Sequence, residues 1–130
     1  MDRKILVVDD DEKIQELLRD AFADAGFQVV PALSAEEAVT ILDREWFPIY
    51  FIDMQLPGAN GLELCRTIRK RNPTVTLFAM SGYSGHYHLI DALDAGFNDY
   101  FAKPFSVPVL VKNVLDAFEK MDRWHSHQRQ

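Results

Sequence analysis

Five short runs of apolar residues punctuate the chain, at Ile5–Val8, Phe27–Val30, Ile49–Ile52, Val75–Met80 and Tyr100–Ala102. They are rich in Val, Ile and Phe and mostly lack polar alternation. Strands buried on both faces have this pattern, as in a parallel sheet covered by helices. Between the runs, apolar residues recur with helical period. Ile14, Leu17, Leu18, Ala21, Phe22 and Ala25 lie at i, i+3, i+4, i+7, i+8 and i+11, and Gly26 suits the stop. Ser34 with Glu37 matches a capping box ahead of Ala38, Ile41 and Leu42. Leu62, Cys65 and Ile68 mark a third helix ended by Asn72-Pro73, and Leu89, Ile90, Ala92 and Leu93 a fourth stopped at Gly96. Val107, Leu110, Val111, Val114, Leu115 and Phe118 mark the fifth, with Ser106 placed to cap it and Pro108 tolerated in its first turn.

Strand followed by helix, five times over, predicts right-handed crossovers and a single doubly wound α/β sheet. There is no internal repeat or low-complexity segment. The last residues, 122–130, are polar, contain Trp124 and show no clear apolar face. The domain is therefore expected over residues 1–121, with 122–130 a tail: either a frayed helix end or the start of a linker.

Composition narrows the function. A chain of 130 residues is expected to form one domain, burying roughly two-thirds of the surface its unfolded form exposes. The net charge of −6, without a Lys/Arg stripe, argues against direct nucleic-acid binding. Cys65, the sole cysteine, excludes an internal disulfide and a cysteine metal cage. The opening MDRKILVVDDD has too short an apolar run for a signal peptide, and nothing approaches the ~20 apolar residues that cross a bilayer, so a cytoplasmic location without membrane contact is expected.

The chemistry lies at the C-terminal ends of the strands. Asp9, Asp10 and Asp11 follow the first, Asp53 ends the third, Ser81 follows the fourth, and Lys103, then Pro104, follows the fifth. In an open parallel sheet these ends face one crevice at the topological switch point. Clustered carboxylates repel one another unless a cation sits among them. An all-oxygen set favours a hard ion, and Mg²⁺ accepts one or two carboxylates while keeping waters. The acids are too few and wrongly spaced for an EF-hand loop. A carboxylate beside such an ion can attack phosphorus to give an aspartyl phosphate, with the metal and a lysine neutralising charge on the transferred oxygens.

The segments VVDDDEKI (7–14), FIDMQLPGANG (51–61), AMSG (79–82) and DYFAKPF (99–105) resemble, in order and spacing, the receiver domain of two-component response regulators, of the chemotaxis-regulator type. The resemblance covers nearly the whole chain. It implies a flavodoxin-like three-layer sandwich with strand order 2-1-3-4-5, which sets Asp9 and Asp10 near Asp53. Position by position, it implies Asp53 as phosphoacceptor and Asp10 as direct Mg²⁺ ligand. Asp9 would act mainly through water, with the Gln55 backbone carbonyl a further ligand and Mn²⁺ a substitute ion. Ser81 and Lys103 would contact the phosphoryl group, Tyr100 would be the aromatic switch, and Lys103–Pro104 would be a cis peptide. The implied partners are a histidine kinase or histidine phosphotransfer protein as donor and an output domain or downstream protein as target. A phosphorylation-dependent homodimer is a further implied state. The output face would be the fourth helix, fifth strand and fifth helix. Such a domain is a switch with only intrinsic autophosphorylation and autodephosphorylation, not primarily an enzyme.

Two alternatives are set against this reading. A binding module of the same fold that signals without phosphate would usually lack one of the acids or the lysine. A haloacid-dehalogenase-type phosphatase has a D-x-D signature, and here Gln55 replaces its second acid. Among other residues, Asp11 suits the first turn of the first helix through its dipole rather than metal binding. Cys65 reads as packing, and Arg66, Arg69, Lys70 and Arg71 as a solvated helix end. His86-x-His88 and His125-x-His127 read as surface histidines, because i and i+2 do not share a helical face. Tyr83, two residues beyond Ser81, is expected to shield an acyl phosphate from water.

Overall fold

The apolar runs pair into one sheet. The computed structural model, which describes residues 1–57, 60–82 and 86–128, places β1 at Lys4–Val8, β2 at Gln28–Ala32, β3 at Ile49–Asp53, β4 at Thr76–Ser81 and β5 at Asp99–Ala102. The helices between and after them are α1 (Glu12–Asp24), α2 (Ala35–Leu42), α3 (Gly61–Arg71), α4 (His86–Ala95) and α5 (Val107–Gln128). All strand pairs are parallel and the order is β2-β1-β3-β4-β5, as the family resemblance implies. The chain steps from β1 out to β2 and then reverses, running β3, β4 and β5 on the other side of β1, so right-handed crossovers put α1 on one face and α2, α3 and α4 on the other. The long α5 packs against α1, and α3 packs against α4. The shielding expected of Tyr83, and the surface placement expected of the His86 and His88 side chains, lie outside the described residues.

The central strands are apolar along their length because both faces are covered. Ile5, Leu6, Val7 and Val8 are fully buried, as are Ile49, Tyr50, Phe51 and Ile52. On one face Phe51 packs between the tilted rings of Phe22 of α1 and Phe78 of β4, with centroids 5.2 and 4.9 Å away, and Phe78 meets Phe101 at 5.5 Å. This aromatic slab packs the middle of the sheet below the strand ends. The site at those ends therefore sits on a rigid platform rather than on loops alone.

Helix starts follow the expected cap chemistry. Asp11 is the N-cap of α1 and accepts the Lys13 N–H at 2.9 Å, while Ser34 accepts the Glu37 N–H at 3.1 Å. The far end of α4 is tied to α3. Arg69 donates to the Gly96 carbonyl at 2.6 and 3.1 Å, to Val75 O at 2.6 Å, to Pro73 O at 3.0 Å and to Asn98 Oδ1 at 2.8 Å. Gly96, at φ 110°, occupies the left-handed position that ends the helix and leaves room for that guanidinium.

Periodicity marks the helices but not always their buried side: Leu17 on α1, Leu89, Ile90 and Leu93 on α4 and Leu115 on α5 are exposed. Among the described side chains of α4, Ala92 and Ala95 are the buried ones. Small residues let the helix approach α3 closely, and the larger ones face outward. The polar stretch after Met121 continues α5 to Gln128. It is supported by an Arg123–Glu119 pair at 3.2 Å and by Lys120 lying 5.1 Å over the Trp124 ring.

Cys65 is fully buried, with Sγ 3.5 Å from the Ala95 carbonyl. Burial pushes its thiol up to about 11, against the pull of the Arg69 and Arg66 charges. The thiolate is the reactive form, and a two-unit rise alone removes about 99% of it. The native protein is therefore expected to alkylate at least about a hundredfold more slowly than the denatured protein. Mass spectrometry after matched iodoacetamide exposure checks this; equal labelling would show that the α3–α4 packing opens readily.

Candidate functional site

The carboxylates gather where the strand order reverses, between the C-terminal ends of β1 and β3. Oxygens of Asp9, Asp10 and Asp53 all lie within 4.8 Å of one another. Asp9 and Asp53 are buried and Asp10 is exposed, so the cluster opens to solvent on the Asp10 side. Asp9 follows the last residue of β1, and its N–H reaches the Ala32 carbonyl at 3.0 Å, extending the β1–β2 pairing by one step. Asp53 is the last residue of β3 and pairs with Met80.

Each buried carboxylate has one oxygen tied to the main chain. Asp9 Oδ1 accepts the Asp11 N–H at 2.9 Å, and Asp53 Oδ1 accepts the Gln55 N–H, also at 2.9 Å. The other oxygens face Lys103, whose Nζ lies 2.9 Å from Asp9 Oδ2 and 3.4 Å from Asp53 Oδ2. Lys103 arrives from the end of β5, where its N–H donates to the Ser81 carbonyl at 2.7 Å and the Lys103–Pro104 peptide is cis. Ser81 is fully buried at the end of β4, and Tyr100 is half-buried on β5. Asp9, Asp10, Asp53, Ser81 and Lys103 are thus brought to one edge. Tyr100 lies on β5 three residues before Lys103, and Gln55 is exposed just beyond Asp53.

The electrostatics follow from this packing. Burial pushes the Asp9 carboxyl above its ordinary range, and the Asp53 charge adds to the push, while the Lys103 and Asp11 hydrogen bonds oppose it. Burial alone would lower Lys103, but its bonds and proximity to Asp9 and Asp53 outweigh that and raise it. One ammonium thus serves two carboxylates with a third beside them. The donor set, three carboxylates and no sulfur or nitrogen ligand, fits a hard divalent cation in chemistry and spacing.

Gly61 and Gln15 escape a reading based on motif chemistry. Gly61 begins α3 directly against the main chain of Asp53 and Met54. Gln15 is a buried polar residue on α1 whose amide reaches the end of β1. The glycine is visible at the end of FIDMQLPGANG, but nothing in spacing or composition marks the glutamine.

Fold and site together define a doubly wound α/β module carrying an acidic pocket and a lysine at its topological switch point. The sequence matches the response regulator receiver domain over residues 5–115, and the chain belongs to that family, the receiver module of two-component signalling. It is 32% identical over 126 residues to the probable transcriptional regulator ycf27 of Porphyridium aerugineum, covering 95% of this chain and 51% of that protein. It is 34% identical over 114 residues to the response regulator protein FleR of Pseudomonas aeruginosa, covering 88% of this chain and 24% of FleR. The chain thus spans about half or less of the length of these relatives. Among solved structures, the BeF3-activated receiver domain of DrrB, from Thermotoga maritima, superposes with a TM-score of 0.85 at 29% identity, covering 92% of this chain and 99% of that one. Among the described residues, no helix is long and apolar enough to cross a membrane.

Proposed function

We propose that this chain is a phosphorylation-controlled switch in which Asp53 accepts a phosphoryl group from a phosphohistidine of a histidine kinase or phosphotransfer protein. The observation that carries the reading is the convergence of three carboxylates within 4.8 Å beside an ammonium 2.9 and 3.4 Å from two of them. Asp9, Asp10, Asp53 and the Gln55 carbonyl would hold Mg²⁺, or Mn²⁺ in its place. The bound ion supplies charge neutralisation for the incoming phosphoryl oxygens. An Asp53 carboxylate oxygen attacks phosphorus, the P–N bond to the donor imidazole breaks, and its electron pair leaves with the imidazole nitrogen.

Lys103 then exchanges part of its contact with Asp9 for the new dianion, and the Ser81 hydroxyl donates to another phosphoryl oxygen. These contacts exist only in the phosphorylated state, so they shift a pre-existing equilibrium. Tyr100 moves inward and the α4–β5–α5 face changes, for an output domain, a downstream protein or a second copy to read. The exposed Leu89, Ile90 and Leu93 on α4 give that face apolar surface to present. The setting is the cytoplasm, with no direct nucleic-acid contact by this domain.

The test is intact-mass spectrometry after treatment with a small acyl phosphate. With Mg²⁺ the protein is expected to gain one hydroxylamine-labile phosphoryl group, mapped to Asp53, and to gain none when the ion is chelated. Beryllofluoride, which activates the DrrB receiver, is expected to bind under the same Mg²⁺ requirement. A phosphoryl group on another residue, or none, sinks the proposal.

A further inference from the structure

Gln15 has no part in the chemistry above, yet it is one of the few buried polar residues among the described residues. It lies in the first turn of α1, on the stripe that also buries Leu18 and Phe22. Its Nε2 approaches three main-chain carbonyls: Val7 at 2.8 Å, Asp9 at 3.0 Å and Ala32 at 3.1 Å. An amide nitrogen carries two protons, so one is shared among these acceptors. All three carbonyls belong to the C-terminal ends of β1 and β2, and Ala32 O also accepts the Asp9 N–H. The Gln15 Oε1 is buried and meets no donor among the described residues. A leucine or methionine would fill the same space without the orphaned oxygen but would take the Nε2 donor away from the Val7 and Asp9 carbonyls, so the amide is there for those carbonyls and not for packing alone.

Asp9 is consequently held at four points. Its N–H rests on Ala32, its carbonyl on Gln15, its Oδ1 on the Asp11 N–H and its Oδ2 on Lys103. The two carboxylate contacts are the ones that a cation or a phosphoryl group would compete for. The two main-chain contacts are independent of charge, and Gln15 supplies the only one that comes from a side chain.

We infer that Gln15 is a positioning residue for the metal site, fixing the main chain of Asp9 through a donor clamp on the ends of β1 and β2 so that the acidic cluster is set for a divalent cation. This inference rests on the proposed Mg²⁺ role of the cluster. Groups that orient metal-binding carboxylates typically cost 10–100-fold in metal affinity when lost. Here the effect acts through the geometry of Asp9, so a high concentration of the ion should restore function.

The experiment is isothermal titration calorimetry of the full chain with Mg²⁺. Gln15→Met keeps chain length and apolar volume but removes the donors. It is expected to raise the Mg²⁺ dissociation constant about tenfold, while phosphorylation by a small donor returns to within about twofold of wild type at saturating Mg²⁺. Ile68→Ala, a core truncation on α3, is the control: it lowers Tm but leaves Mg²⁺ affinity unchanged. Should Gln15→Met fail to fold, NMR of the wild type decides. The Gln15 side-chain amide signals are expected to shift during a Mg²⁺ titration with the same midpoint as the Asp9 amide. Wild-type Mg²⁺ affinity in Gln15→Met, or side-chain amide signals that do not respond, overturns the assignment. A wild-type protein that binds no Mg²⁺ overturns instead the metal reading on which it stands.

Discussion

Asp53→Asn is expected to lose phosphorylation by small donors by roughly a thousandfold or more, and at the same time to become more stable in the absence of metal. The first effect follows from nucleophile chemistry, since an amide oxygen lacks the charge that lets the carboxylate attack phosphorus. The second follows from crowding. Asp9 and Asp53 are both buried, with carboxylate oxygens within 4.8 Å. At an effective dielectric near 20, two charges at that distance repel by about 3 kcal/mol. Asp10, in the same cluster but exposed, repels Asp53 as well, though less. Lys103, 3.4 Å from Asp53, returns about 5 kcal/mol, so removing the Asp53 charge leaves a gain on the order of 1 kcal/mol. Asparagine keeps an oxygen for the Gln55 N–H, so the main-chain anchor survives. Thermal unfolding with and without Mg²⁺, beside mass spectrometry, checks both effects. The variant should melt higher than wild type in chelator and gain little from Mg²⁺. A variant still phosphorylated at this site would remove Asp53 from its role, and one that melts lower in chelator would show that the Lys103 attraction dominates.

Gly61→Val is expected to destabilise the domain by about 3 kcal/mol, lowering Tm by roughly 10 °C, and to weaken Mg²⁺ binding with it. A Cβ at this position would lie 2.5 Å from the Asp53 carbonyl oxygen, 2.8 Å from Met54 Cα and 3.1 Å from the Asp53 carbonyl carbon. Those are main-chain atoms with no rotamer to change, so either α3 must retreat or the end of β3 must shift. The Gly61 N–H donates to the Met54 carbonyl at 3.3 Å, which ties the helix start to the strand end and prevents an easy retreat. The displacement falls on Asp53 itself. Denaturant unfolding and Mg²⁺ titration calorimetry measure the two consequences. Wild-type stability in the variant would mean that the close approach relaxes at little cost.

The acidic cluster was legible because parallel topology leaves little choice. Once Ile5–Val8 and Ile49–Ile52 are recognised as buried parallel strands, the residues just past their C-terminal ends must share one edge, and those residues are Asp9, Asp10 and Asp53. Lys103 and Ser81 are legible for the same reason, since β4 and β5 end at that edge too. Asp11 was legible as a helix-start residue because its cap bond to Lys13 is local. Periodicity served less well in α4. Leu89, Ile90 and Leu93 recur at helical spacing yet are exposed, because alanines give α4 its contact with α3, and a repeat alone does not say which phase faces the core.

What the sequence by itself determined is the order of elements, the parallel sheet and the set of reactive side chains at its edge. These depend on local periodicity, capping and the handedness of crossovers, all of which act over short stretches of chain. Only the tertiary structure decided how the set is held: Lys103 bridging Asp9 and Asp53 across 94 and 50 residues, Gly61 pressed against the main chain of β3, and Gln15 clamping the ends of β1 and β2. Contacts to main-chain carbonyls carry no side-chain signature, and their partners meet only when separate strands come into register, so no pattern along the chain records them.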